Sequence, residues 1–271
     1  MQPVAVRELA LPDGLPARLY TPDELAPGGG LLVFYHGGGW TVGDLDSHDN
    51  VCRFLARHAG VKVLSAAYRL APEDPFPAGA HDAYAAFRYA VDHADALGVD
   101  PEAIAVGGDS AGGNLAIAAS LQAVAGGGAR PAYQLLLYPA TDHTRRRASR
   151  ERFAEGFFLT DATMTFYSDN YVVEPDKADP LASPLLAPEL SELPPAYLAV
   201  AGFDPLRDEG EAFAEQLAGA GVPVTFRRFG DLIHGYANFF SFSPRAREAL
   251  GDAALALHRA IGVRKADRTP G

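Results

Sequence analysis

The sequence predicts an α/β fold: a mostly parallel central sheet with helices on both faces. Two observations carry this. Short, almost wholly apolar runs alternate along the chain with stretches of helical periodicity, and strands alternating with helices connect by right-handed crossovers into a parallel sheet. The apolar runs also lack the in–out alternation of half-exposed strands, as burial on both faces requires.

The first 30 residues differ. Residues 4–9 and 15–20 alternate in polarity and flank Pro12-Asp13-Gly14, so two strands joined by a turn are expected to form an antiparallel edge. The buried strands follow as LLVFY at 31–35, VKVLSAAY at 61–68, AIAVG at 103–107, YQLLLY at 133–138 and AYLAV at 196–200. VTFRRF at 224–229 is the most polar and suits an outer position. Helices are expected at 48–58, where Val51, Phe54, Leu55 and His58 share a face, and at 81–97, where Tyr84, Phe87, Ala90 and Val91 do. Residues 110–123, 208–220 and 244–261 also read as helices. More than 50 residues separate the strand ending at 138 from the one starting at 196, far beyond an ordinary connection. This insertion holds a helical stretch at 161–171 with Met164, Phe166 and Tyr167, and is expected to act as a cap over the sheet edge.

Composition narrows the function classes. The chain has 271 residues, 48% apolar and 21% charged, values of a folded globular protein. A single domain over 1–271 is expected, with the cap insertion at about 140–195. The net charge of −11 repels phosphate backbones, so no nucleic-acid partner is expected. Cys52 is the only cysteine, which rules out an intrachain disulfide and a multi-cysteine metal site. The start, Met1-Gln2-Pro3-Val4-Ala5-Val6-Arg7, lacks the features of a signal peptide. No uninterrupted apolar run reaches the ~18 residues of a membrane span. A cytoplasmic location with no membrane partner is therefore expected, and a homodimer is one option for its assembly.

The chemistry starts at Gly108-Asp109-Ser110-Ala111-Gly112, a G-x-S-x-G between a strand and a helix. A serine on so sharp a turn takes a strained backbone, and Cβ atoms two residues to either side would collide; glycine removes them. The serine then stands at a helix amino terminus, where the dipole favours developing negative charge. His36-Gly37-Gly38-Gly39-Trp40 follows the first buried strand directly. Its glycines let backbone N–H groups approach a ligand, and such donors stabilise the oxyanion of an acyl-transfer transition state. Gly38 and Gly39 are the expected donors, joined by the N–H of Ala111.

A nucleophilic serine needs a base, and the base needs an orienting acid. In a fold built around such an elbow the order is Ser, acid, His. Asp204 and His234 each follow a predicted strand, and thirty residues separate them, enough for one helix and one strand. Both thus return to the sheet edge that carries Ser110. His48, His58, His81, His93 and His258 fall on predicted helices and read as structural histidines. His36 reads as a brace of the glycine loop, and His143 precedes the acid and so breaks the order. Asp208 and Glu209 read as helix-dipole partners. Arg145-Arg146-Arg147 reads as a solvated face, with capture of an acidic substrate as the lesser alternative. Trp40 and Leu206 are the expected substrate-binding side chains. No zinc spacing, phosphate loop or EF-hand appears, so neither metal nor cofactor is expected.

Taken together, HGGGW at 36–40, YRLAPEDPFPAG at 68–79, GDSAGG at 108–113, DPLRDEG at 204–210 and HGY at 234–236 resemble the hormone-sensitive-lipase-like carboxylesterases of the α/β-hydrolase fold. The motifs run in family order over most of the chain. The resemblance implies Ser110, Asp204 and His234 as the triad, Gly38, Gly39 and Ala111 as the oxyanion hole, and cofactor-free cleavage of a small-molecule, short-chain acyl ester. The family carries a helical amino-terminal segment in its cap. Here the glycine loop begins at His36, so the insertion is expected to enclose the substrate alone. Two rivals stand beside a serine carboxylesterase: an amide or peptide hydrolase with the same triad, and a non-catalytic binding protein on the same scaffold.

Overall fold

The computed structural model describes residues 4–23, 25 and 29–262. The first three residues of the amino-terminal segment and the start of the glycine-rich stretch at 27–30 lie outside them. Eight strands form one sheet: β1 (Val4–Ala10), β2 (Pro16–Pro22), β3 (Leu31–Tyr35), β4 (Lys62–Ala66), β5 (Ile104–Asp109), β6 (Gln134–Leu137), β7 (Ala196–Phe203) and β8 (Val224–Ile233). Their spatial order is β1-β2-β4-β3-β5-β6-β7-β8. β1 and β2 pair antiparallel, and β2 meets β4 antiparallel, as the different alternation of the first 30 residues foretold. From β4 to β8 every pairing is parallel. β8 is the outer strand, in keeping with its polarity.

Each buried strand splits its side chains between two cores. Leu31, Val33 and Tyr35 of β3 face one, with Ile104 and Val106 of β5. Leu32 and Phe34 face the other, with Ala105, Leu135 and Leu137. Period-two geometry thus gives a continuous apolar run two buried faces. Helices α2 (Ala78–Asp92), α4 (Ala111–Ala125) and α7 (Arg207–Gly219) cover the first face. Helices α1 (Asp49–Ala59) and α8 (Pro244–Leu257) cover the second.

Element edges depart from the sequence reading where local chemistry intervenes. The helix expected over 81–97 starts earlier, at Ala78, and breaks at His93 (φ −115°) before the short α3 (Ala94–Leu97). β8 runs on to Ile233, past the expected end at 229. The helix expected over 244–261 ends its α-geometry at Leu257 and closes with a π-turn at His258–Gly262.

Between β6 and β7 lies the insertion. It holds α5 (Ala148–Arg152), unforeseen from sequence, and α6 (Asp161–Tyr171), whose bounds match the expected stretch. Thr160 caps α6 by accepting the Thr163 N–H at 3.1 Å. Arg150 and Arg146 both bind the Asp161 carboxylate, at 2.5 and 2.7 Å, and so tie the run before α6 to its first turn. Asn114 on α4 holds the roots of the insertion by donating to the carbonyls of Ala140 and Ala182 at 3.1 and 2.9 Å. Among the described residues no helix is long and apolar enough to cross a membrane.

Candidate active site

Ser110 sits between β5 and α4 with φ 56° and ψ −118°, a region that only a tightly held non-glycine residue occupies. The glycines around it make this turn possible. A Cβ on Gly112 would lie 1.9 Å from the Tyr35 carbonyl oxygen, and one on Gly108 would lie 2.4 Å from it. β3 and the start of α4 therefore pass in direct backbone contact. The Ser110 N–H donates to the Leu137 carbonyl at 2.9 Å, and the Ser110 carbonyl accepts the Asn114 N–H at 3.1 Å.

Asp204 and His234 arrive from neighbouring strands. Phe203 pairs with Ile233 after a register shift in β7, so the two residues that follow emerge side by side. Gly202 permits the shift: a Cβ there would meet the Gly230 carbonyl oxygen at 2.2 Å. Asp204 is wholly buried and His234 nearly so. His234 Nδ1 lies 2.8 Å from Asp204 Oδ2, and its Nε2 lies 2.9 Å from Ser110 Oγ. Asp204 Oδ1 accepts the Leu206 N–H at 2.8 Å. With Nδ1–H donating to the carboxylate, Nε2 is left to accept the serine proton.

The glycine loop lies beside the serine. Gly38 and Gly39 take φ of +127° and +59°, conformations that suit glycine. The Gly38 carbonyl accepts from Thr41 and Val42 at 3.1 and 3.0 Å, closing the loop into a turn. Among the described residues none accepts a hydrogen bond from the N–H of Gly38, Gly39 or Ala111. His36 braces the loop as expected: Nδ1 lies 2.8 Å from the Gly37 carbonyl. Burial pushes its pKa down to about 4, so the ring is neutral. Tyr68 stacks on it and donates to its carbonyl at 2.8 Å.

A cavity of about 530 Å³ opens over Ser110 and His234 and is lined by Gly38, Gly39, Trp40 and Leu206. Trp40 is buried; its ring stacks on Tyr171 at 4.4 Å and 4°. Met164 and Tyr167 of α6 form part of the roof. The Tyr167 ring lies against Gly39, where an added Cβ would come within 2.1 Å of it. All eight expected site residues thus meet in or beside this one cavity. Among the described residues no group of three or more His, Cys, Asp and Glu is arranged to hold a metal ion.

The geometry agrees with what comparison of the chain finds. The model of a family described as having the α/β-hydrolase fold matches residues 32–238. The chain belongs to that family. Within it the chain falls in the hormone-sensitive-lipase-like branch. It is 51% identical to the carboxylic ester hydrolase LipN of Mycobacterium tuberculosis over 250 residues, spanning 88% of this chain but 65% of LipN. It is 41% identical to the ethyl acetate hydrolase of Pseudomonas putida, over 92% of this chain and 81% of that one. Its structure superposes on that of EstE1, a thermostable carboxylesterase cloned from a metagenomic library, with a TM-score of 0.92 and 40% identity, covering 96% and 91% of the two chains.

Several residues of this α/β-hydrolase do more than the sequence suggested. Glu209 does not merely complement its helix dipole. It is buried, and its Oε1 accepts the N–H groups of Thr141 and Asp142 at 2.7 and 3.3 Å. Asp208 instead accepts the Ser149 N–H at 2.7 Å and so ties α5 to α7. His48 stands just before α1 and faces Asp109, with Nε2 3.1 Å from Oδ1. His143 joins the cavity wall beside Trp40, and burial lowers its pKa to about 4. Tyr138 packs edge-on against His234 at 4.8 Å. The arginine run is partly paired, Arg146 with Asp161 and Arg147 with Asp142. His58, His81, His93 and His258 are exposed, as structural histidines on helices can be.

Proposed function

We propose that the chain is a serine carboxylesterase acting on small, short-chain acyl esters through an acyl-enzyme. The observation that carries this is the relay of 2.8 and 2.9 Å contacts from Asp204 through His234 to Ser110, beside three N–H groups without partners among the described residues. Ser110 Oγ attacks the ester carbonyl as His234 Nε2 takes its proton. The N–H groups of Gly38, Gly39 and Ala111 hold the oxyanion. His234 then protonates the departing alcohol, and water repeats the sequence on the acyl-serine. Asp204 fixes the imidazole tautomer and stabilises its cation. The names of LipN and the ethyl acetate hydrolase support ester chemistry for this chain.

The described chain works as one hydrolase unit in this reading, with the insertion at about 140–195 as its cap. Trp40 and Leu206 bind the acyl or alcohol arm. A cavity of about 530 Å³ falls in the size class of a small ligand. Methylenes beyond its walls gain little of the ~0.8 kcal/mol that each buried CH₂ contributes. The test is kcat/KM for monomeric p-nitrophenyl esters from acetate to palmitate, beside the matched anilides. A maximum at two to six acyl carbons, with anilides far slower, is expected. A maximum at twelve carbons or beyond would overturn the short-chain assignment. Anilides turned over faster than esters would make the protein an amidase.

A further inference from the structure

Asp109, the residue before the nucleophile, is a buried carboxylate that the reaction described above does not use. One oxygen, Oδ1, accepts the Gly37 N–H at 2.9 Å and faces His48 Nε2 at 3.1 Å. A Cβ on Gly37 would lie 2.5 Å from the other oxygen, so the backbone of the oxyanion loop rests directly on this carboxylate. The side chains of His48 and Asp109 are 7% and 4% exposed. Both line the cavity that holds Ser110 and Gly38.

This placement carries a hazard. Ester hydrolysis creates negative charge on an oxygen held by the same loop. Charges interact strongly where water is excluded, so an uncompensated Asp109 would oppose the oxyanion. We propose that His48 is a positioning residue whose imidazolium neutralises Asp109, letting the carboxylate anchor the oxyanion loop without raising the barrier to the oxyanion.

The surroundings agree. Burial works against a charge on His48, but Asp109 and Asp44 outweigh it and hold the imidazole above its ordinary value. Burial likewise works against the Asp109 charge, but His48, the Gly37 N–H and His234 together hold the carboxyl below its ordinary value. His48 is faced also by His36, which is neutral with a pKa of about 4. The Tyr138 hydroxyl lies 3.5 Å from Asp109 Oδ2, and burial, with the Asp109 charge adding to it, raises the pKa of Tyr68, Tyr138 and Tyr236 and of the Cys52 thiol, the last to about 12. His48 is thus the group beside Asp109 that changes charge as the solution turns alkaline, while Glu209 on the same cavity wall, its pKa raised to about 8 by burial, changes charge there too.

The inference rests on the esterase reading, and the experiment separates the two. Steady-state kinetics on a p-nitrophenyl short-chain ester are measured for wild type, His48→Gln, Asp109→Asn and the double variant. Glutamine keeps a donor but no charge; asparagine keeps the Oδ1 acceptor but no charge. His48→Gln is expected to lower kcat ~30-fold with KM within ~3-fold, because it strands a buried carboxylate. Adding Asp109→Asn should restore kcat to within ~5-fold of wild type. In the Glu209→Gln background, which removes the other carboxyl of this cavity that titrates in mild alkali, kcat should also fall as the pH rises and His48 loses its proton, and adding Asp109→Asn should abolish that fall. A double variant no faster than His48→Gln, or an alkaline fall retained when Asp109→Asn is added to Glu209→Gln, would overturn the proposal. Should His48→Gln fail to fold, the pH profiles of Glu209→Gln with and without Asp109→Asn decide alone. Absence of ester turnover in wild type, or its persistence in Ser110→Ala, would overturn the esterase reading instead.

Discussion

Replacing Glu209 with glutamine should make the protein more stable in mild alkali. The carboxyl is enclosed where α7 meets the root of the insertion. Burial, with Asp142 and Asp204 nearby, pushes its pKa from 4.5 to about 8, although the N–H groups of Thr141 and Asp142 pull the other way. Between those values the folded protein keeps this proton and the unfolded chain has lost it. The unfolded state then binds fewer protons, so stability falls as pH rises through that window and levels off above it. Each pH unit costs about 1.4 kcal/mol while the difference is complete, which over the window totals on the order of 4 kcal/mol. The glutamine side chain would keep an oxygen for both N–H groups and cannot ionise. Urea unfolding of both proteins at pH 5, 6, 7 and 8 measures the effect. The variant should match or slightly trail wild type at pH 5 and exceed it at pH 8, a gain equivalent to roughly 10 °C in Tm. Stability curves that run parallel from pH 5 to 8 would refute a protonated Glu209 in the fold.

Other substitutions probe the site itself. Ser110→Ala and His234→Ala should each abolish ester turnover, and the pair should cost little more than either, because the residues act as a unit; single-turnover assays check this. Asp204→Asn should lower kcat by up to ~10⁴-fold through the wrong imidazole tautomer, with KM little changed. Gly39→Ala should lower kcat on the order of 10²-fold by displacing an oxyanion donor. Tyr167→Ala in the same chain should recover part of that loss by removing the ring a Cβ would strike, while the cost of φ +59° remains. A double variant as slow as Gly39→Ala would mean that the Tyr167 contact is irrelevant.

What the sequence made legible was local. The buried strands announced themselves because a continuous apolar run has one use in a sheet covered on both faces. The elbow and the glycine loop were legible because the steric demand falls on glycines a few residues apart, and Gly108 and Gly112 meet that demand against Tyr35. Asp204 and His234 followed from chain order and strand ends. The role of Glu209 is not legible in the sequence because its partners lie 68 and 67 residues upstream in the insertion, and no spacing rule links a helix start to a loop root. His48 reads as an ordinary helical histidine for the same reason, since its counter-charge, Asp109, comes from the end of β5. One signal was available: an acidic residue inside the elbow motif must be buried, and a buried carboxylate calls for a partner. Tyr167 lay on a helix whose periodicity was readable, but which of its faces met the glycine loop was set by the fold of the insertion.

The central claim is that Ser110 is the nucleophile activated by His234. Intact-mass analysis after reaction with a fluorophosphonate tests it most directly. One adduct per chain should form on Ser110, ester turnover should fall in step with labelling, and Ser110→Ala should take up no label. An adduct at another residue, or full turnover by the labelled protein, would contradict the account.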